Sequence, residues 1–369
     1  MVSGEDSGAA VVRTSVRPVL IASRRTLMEQ STFLRHLLVG LVTEPVSTVL
    51  ICPSRCNVES IAPAPVTVLP CPWINLPVLE YLCIDHLADQ LAKLRPTILH
   101  GLSESGASLV RRLADRLDLP YVLTVNKLVR RFGRPTISPR RCMTIAVPAR
   151  TIGSRVAKLY PQLVDRVRQV NVGTFIEEDT VCFSDSSRLA SVVLAHPLQR
   201  VSDFETFFRA VKALLVDGYQ FMVVLMGSGP AEHRLRGLLA RLELSQIVTI
   251  IPILDPWRSV IAAGDIFVQP QPLRAFSVFL LEAMSLGTAV AACTGGVDDL
   301  LVPNQTAVVF EPDNERSIRQ ALTRLLGEHD FARRLAKTAQ EHVRAGYSVS
   351  QMVSTTVKAY ADAQRQYAG

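Results

Sequence analysis

Paired cysteines, membrane-length apolar runs and aromatic bulk are all missing from this 369-residue chain. Its seven cysteines are scattered from Cys52 to Cys293 with no C-x-x-C pair. An odd, dispersed set excludes a disulfide framework and a zinc site of spaced pairs, so no metal is expected and the thiols read as reduced, in a cytoplasmic setting. No stretch of about 18 apolar residues is free of charge, which excludes a membrane-spanning helix. Aromatics make up 6% of the residues against 48% hydrophobic overall, so the core must come from Val, Leu, Ile and Ala, the habit of strands buried on both faces. No helix-turn-helix, RNP or zinc pattern accompanies the net charge of +7, and no nucleic-acid partner is expected. Residues 1–16 are rich in Ser, Gly, Val and Ala without the apolar core of a signal peptide and read as a disordered leader.

What is present is most informative from Arg274 to Leu300. Phe276, Phe279, Leu280, Ala283, Met284 and Leu286 recur at helical spacing, Ser277 suits the N-cap, and Gly287 sits where a helix stops. The uncharged run TAVAAC then fits a buried parallel strand, and Gly295-Gly296 a turn. In a doubly wound sheet this order puts the helix amino-terminus, including Val278, at the carboxyl edge of the strands, where backbone amides collect anions. A second strand-to-turn unit, FMVVLMGSGP, carries Gly227, Ser228 and Gly229 ahead of a helix from about 232 to 242. There the glycines would let amides approach an anion, or would make a plain tight turn. Strands are further expected at 190–194, 247–253 and 265–269, with a short helix at 255–263.

Together these segments resemble glycosyltransferase family 4, the retaining sugar transferases of the GT-B fold. Glu282-Ala283-Met284, Gly287, Gly295, Gly296 and Asp299 match the second half of that family's signature. The resemblance implies two Rossmann-like α/β domains facing a cleft: residues 17–176 on the acceptor side, 177–346 binding a nucleotide sugar, and 347–369 crossing back as a helix. It also implies donor contacts at Gly227, Ser228, Gly229, Ser277, Val278 and Glu282, the last toward the ribose, with a glycan or lipid-linked acceptor and no cofactor beyond the donor itself.

Several positions depart from the family pattern. Arg274 replaces its first signature Glu; Ala275 and Ser277 replace two glycines; and Asn126 stands at its first-domain His in Thr124-Val125-Asn126. Its two phosphate cations fall near His196 and on Ser202, leaving Arg200 as a nearby substitute, and its glycine-rich first loop reads SRRTLMEQ, Ser23 to Gln30. His100 matches a first-domain His that lines the cleft, or is a core residue. Arg274 admits two readings. It could grip a phosphate or the carboxylate of an acidic sugar. Alternatively it could pair with Glu282 and fill the site, leaving an inactive module that binds or regulates a partner transferase.

Charge is uneven. Residues 1–175 carry 22 Lys and Arg against 12 Asp and Glu, and the remainder 18 against 21. The segment 127–141 holds six basic residues, no acid, and Leu128, Val129 and Phe132 between them. It reads either as a solvated loop or as a face toward an anionic membrane.

Overall fold

The computed structural model describes residues 16–369 apart from 55, 57, 59–60, 72–76, 186 and 254–256, and the side chains of 77–83 are not described. Of the expected leader, Val16 is buried and the rest lies outside the described residues. The first sheet has seven strands, β1 (Pro18–Ile21), β2 (Val49–Pro53), β3 (Thr67–Cys71), β4 (Ile98–Gly101), β5 (Tyr121–Thr124), β6 (Cys142–Val147) and β7 (Val167–Gln169), in the order β3-β2-β1-β4-β5-β6-β7. The second has six, β8 (Ala190–Ala195), β9 (Phe221–Met226), β10 (Val248–Ile251), β11 (Ile266–Gln269), β12 (Ala289–Cys293) and β13 (Val308–Phe310), in the order β10-β9-β8-β11-β12-β13. Every pairing between them is parallel.

The reason lies in composition. β1, β4, β5, β6, β11 and β12 are buried along their whole length, which only a sheet covered by helices on both faces allows. Each sheet reverses its winding beside its first strand, between β1 and β4 and between β8 and β11, and such switch points open a crevice at the carboxyl ends. This is the two-domain, doubly wound α/β architecture read from the sequence.

Three local features set the cleft. The Val278–Ser285 helix starts at Ser277, whose Oγ accepts the Leu280 N–H at 3.2 Å, and stops at Gly287, whose φ of +72° favours glycine. The Val349–Ala368 helix returns to the first domain. Gly40 makes room for it, since a Cβ there would lie 2.3 Å from Val353 Cγ2. Finally, the first domain's core runs without a break into the cleft-side layer of the second, through Phe276, Leu280, Met284 and Met352, while a separate core under the outer helices holds Phe204, Phe208 and Leu322. The halves share apolar packing and are more than tethered neighbours.

Candidate functional site

A cavity of about 1050 Å³ lies between the two carboxyl edges. One wall comes from the loops after β1, β4 and β5 and the other from those after β8, β10 and β11. In the first wall the expected loop SRRTLMEQ is a short helix, Arg24–Glu29, capped by Ser23. Ser23, Thr26, Ser103 and Ser105 close a ring of hydroxyl hydrogen bonds of 2.7–2.8 Å that holds the β1 and β4 loops together. In the second wall Ile253, Trp257 and Phe279 give an apolar face, with the Trp257 and Phe279 rings edge to face at 4.7 Å.

The walls are stitched at the segment that carries Arg274. The Phe276 N–H donates to Asn126 O at 3.1 Å and the Leu128 N–H to Arg274 O at 2.7 Å, with Lys127 and Ala275 paired antiparallel between them. The Arg274 guanidinium donates to Leu128 O at 3.0 Å and is exposed in the cavity. Asn126 supports this ladder from beneath: it is buried, and its Nδ2 donates to Gln30 Oε1 at 2.7 Å and Leu102 O at 2.9 Å. Val278 and Phe279 reach the cavity at the first helical turn, where amides lack intrahelical partners.

Ser277, which caps that helix, also lines the cavity, while the remaining expected site residues are placed elsewhere. Glu282 is 1% exposed and outside the cavity lining. Its Oε1 accepts from Thr174 at 2.6 Å and its Oε2 from Arg258 at 2.9 Å, with His36 Nδ1 at 3.9 Å. Burial pushes this carboxyl above its ordinary value, against the pull of Thr174 and Arg258. The cation on Glu282 is therefore Arg258 and not Arg274, which corrects the reading in which Arg274 fills the site. Gly227 gives its N–H to Ile251 O at 2.9 Å, so that amide is spoken for. A Cβ at Gly227 would lie 2.3 Å from His196 O and one at Gly229 2.2 Å from Leu198 O. These glycines, with Ser228 exposed between them, let two loops touch backbone to backbone, outside the cavity lining. Arg200 sits on a different surface, paired with Asp203 at 2.9 Å.

His100 is a core residue. Its ring joins Tyr360 OH and Thr124 Oγ1, both at 2.7 Å, and burial pushes its pKa down to about 3, so it stays neutral. It straps the returning helix to β5. Asp299 carries a role with no local sequence signal: its Oδ2 accepts the Arg150 N–H at 2.7 Å and so caps a helix of the opposite domain. Of the basic segment, Lys127 pairs with Glu104 at 2.5 Å, Arg134 donates to Leu159 O and Arg141 pairs with Asp115 and Asp118. That leaves Arg130, Arg131 and Arg140 without a carboxylate among the described residues, beside a Phe132 that is 92% exposed. Among those residues no group of three or more His, Cys, Asp or Glu is placed to hold a metal, and no helix is long and apolar enough to cross a membrane.

Comparison with known proteins agrees with this geometry. Residues 191–328 match the family model described as "Glycosyl transferases group 1". The second domain is thus similar to the group 1 glycosyltransferases, and the fold is GT-B. The chain is 24% identical over 298 residues to the sulfoquinovosyl transferase SQD2 of Arabidopsis thaliana, covering 74% of this chain and 58% of the relative, so the match spans little more than half the relative's length. Among solved structures, a glycosyltransferase from Rickettsia africae superposes with a TM-score of 0.81 at 13% identity, over 95% of this chain and 99% of the other. HepE from Anabaena, solved in complex with UDP and glucose, gives 0.76 at 11% identity over 94% and 99%. At such identities the superpositions establish the GT-B fold alone.

Proposed function

We propose that this GT-B protein transfers a sugar, with retention, from a nucleotide-sugar donor to a glycan or lipid-linked acceptor. The observation that carries the reading is the open cavity of about 1050 Å³ at facing switch points. It is large enough for a nucleotide sugar, and it is bordered by the first turn of the Val278–Ser285 helix. The diphosphate would sit against the Val278 and Phe279 amides, where helix-end dipoles stabilise the charge that grows on the leaving group. Ile253 and Trp257 offer a face for the base. Glu282, buried with its two oxygens accepting from Thr174 and Arg258, is read here as fixing the helix. The inactive-module reading loses its support once Arg274 is seen to leave the cavity open.

A screen of UDP, GDP and ADP and their sugars by thermal shift tests this. At a hundred times its Kd a ligand adds about 2.7 kcal/mol to stability, so one of these nucleotides is expected to raise the Tm by several degrees. A flat response across the whole set would refute the donor-site reading. A second experiment concerns Arg131 and Arg140 with the exposed Phe132, which we read as a contact toward an anionic lipid surface at the acceptor side. Co-sedimentation with phosphatidylserine vesicles is expected at low salt and should fade as salt rises; equal recovery with and without vesicles removes that contact.

A further inference from the structure

The charges lining the cavity are not balanced. Glu29 is paired with Arg25 at 2.8 Å and Glu104 with Lys127 at 2.5 Å. Arg130 and Arg274 line the same space from opposite domains, and neither has a carboxylate partner among the described residues. Arg274 is also the better prepared of the two. Hydrogen bonds at its own carbonyl and at the Phe276 amide hold its backbone on both sides, and its one side-chain bond among the described residues, to Leu128 O, aims the guanidinium without neutralising it. A guanidinium has five donors in a rigid fork, so most of them remain for something else. The amino-terminal end of the Val278–Ser285 helix adds positive potential to the same wall. Two guanidiniums and a helix amino-terminus around one cavity focus a field that only an anion relieves.

We propose that Arg130 and Arg274 form a two-walled anion clamp, closing on a phosphate or carboxylate group of the substrate. This rests on reading the cavity as the donor site and deepens that reading by naming the anionic group as what is gripped from both domains. Fork geometry suits both phosphate and carboxylate. If the group is the diphosphate, the clamp supplies cations that neither His196 nor Arg200 provides, since His196 is buried against Pro197 O and Arg200 faces another surface. If it is a sugar carboxylate, Arg274 selects an acidic donor.

The test uses the full chain, its Arg274→Gln and Arg130→Gln variants and the double variant. Inorganic pyrophosphate, UDP, GDP, ADP, UDP-glucose and UDP-glucuronate are titrated against each by calorimetry. Both side chains are exposed, so the ligand-free melting temperatures should stay together and show that folding is intact. Each single variant is expected to weaken the gripped ligand about tenfold, the loss of one charge-assisted contact. Parallel weakening of pyrophosphate and every nucleotide identifies the diphosphate. A preference for UDP-glucuronate over UDP-glucose that disappears in Arg274→Gln identifies the carboxylate. Nucleotide binding unchanged in all variants overturns the clamp while leaving the donor site standing. Pyrophosphate binding that depends on Arg274, with no nucleotide bound, keeps the clamp and ends the donor reading. No binding by any probe ends both.

Discussion

Glu282→Ala should unfold this protein several degrees earlier and should not behave as a clean binding mutant. The carboxylate is 1% exposed and both of its oxygens are engaged. Removing it leaves the Thr174 hydroxyl with only its long 3.4 Å bond to Phe175 O, and Arg258 without its buried partner, although Glu177 at 3.0 Å and Phe175 O at 2.7 Å still hold the guanidinium. Breaking a buried pair from one side costs about 3–5 kcal/mol, which for domains of this size is a fall in Tm of roughly 6–20 °C. Arg258 is 31% exposed, so the lower part of that range applies. Glu282→Gln keeps one acceptor and should fall between the two. The competing ribose-contact reading expects the reverse order of effects: Tm nearly unchanged and nucleotide affinity lost. Measuring both quantities on Glu282→Gln, below its melting transition, separates them. A variant as stable as the wild type that no longer binds nucleotide would return Glu282 to the donor site.

That difference shows where the sequence was readable. Buried strands such as TAVAAC and FMVVLM, and stop signals such as Gly287, are local, because one segment's composition decides whether it can be covered on both faces. The fold class followed from them. Contacts that join distant segments leave no local trace. Nothing around Arg258 announces that it answers Glu282, 24 positions on, and nothing around Asp299 announces a helix in the other domain. A buried acid does require some partner, so the need for a cation was legible even though its identity was not. The glycine turn at Gly227 to Gly229 stayed open between two readings for a related reason. Absence of a Cβ signals close approach, but the approaching group was another loop's backbone, which sequence alone cannot tell from a phosphate. Arg274 was the most informative departure. It marked the segment that bridges the domains, although the bridging is done chiefly by main-chain atoms that any residue possesses.

Gly296→Ala puts that bridge to the test. A methyl there would lie 2.4 Å from Leu273 O and 2.7 Å from Leu273 N, and backbone cannot swing aside as a flexible side chain does. The Val297 N–H also donates to Leu273 O at 2.8 Å, so the turn and the loop from Leu273 to Phe276 form one unit. Relief of the clash must push that loop away from Gly296, and the loop holds Arg274 O and the Phe276 N–H, the atoms that join Leu128 and Asn126 across the cleft. Overpacking of this kind costs about 1–3 kcal/mol. The displaced ladder adds two hydrogen bonds, each about 1 kcal/mol. A total of about 3–5 kcal/mol is expected in denaturant titration. The functional signature should be larger than the stability loss explains: nucleotide binding should weaken even where the variant is fully folded, because the cavity wall carrying Arg274 and Val278 has moved. Hydrogen exchange is the direct readout, with the Leu128 and Phe276 amides exchanging faster in Gly296→Ala while those of β11 and β12 keep their protection. Should the Leu128 and Phe276 amides remain as protected as in the wild type, the glycine pair is a turn and nothing more, and the cleft is held in shape from elsewhere.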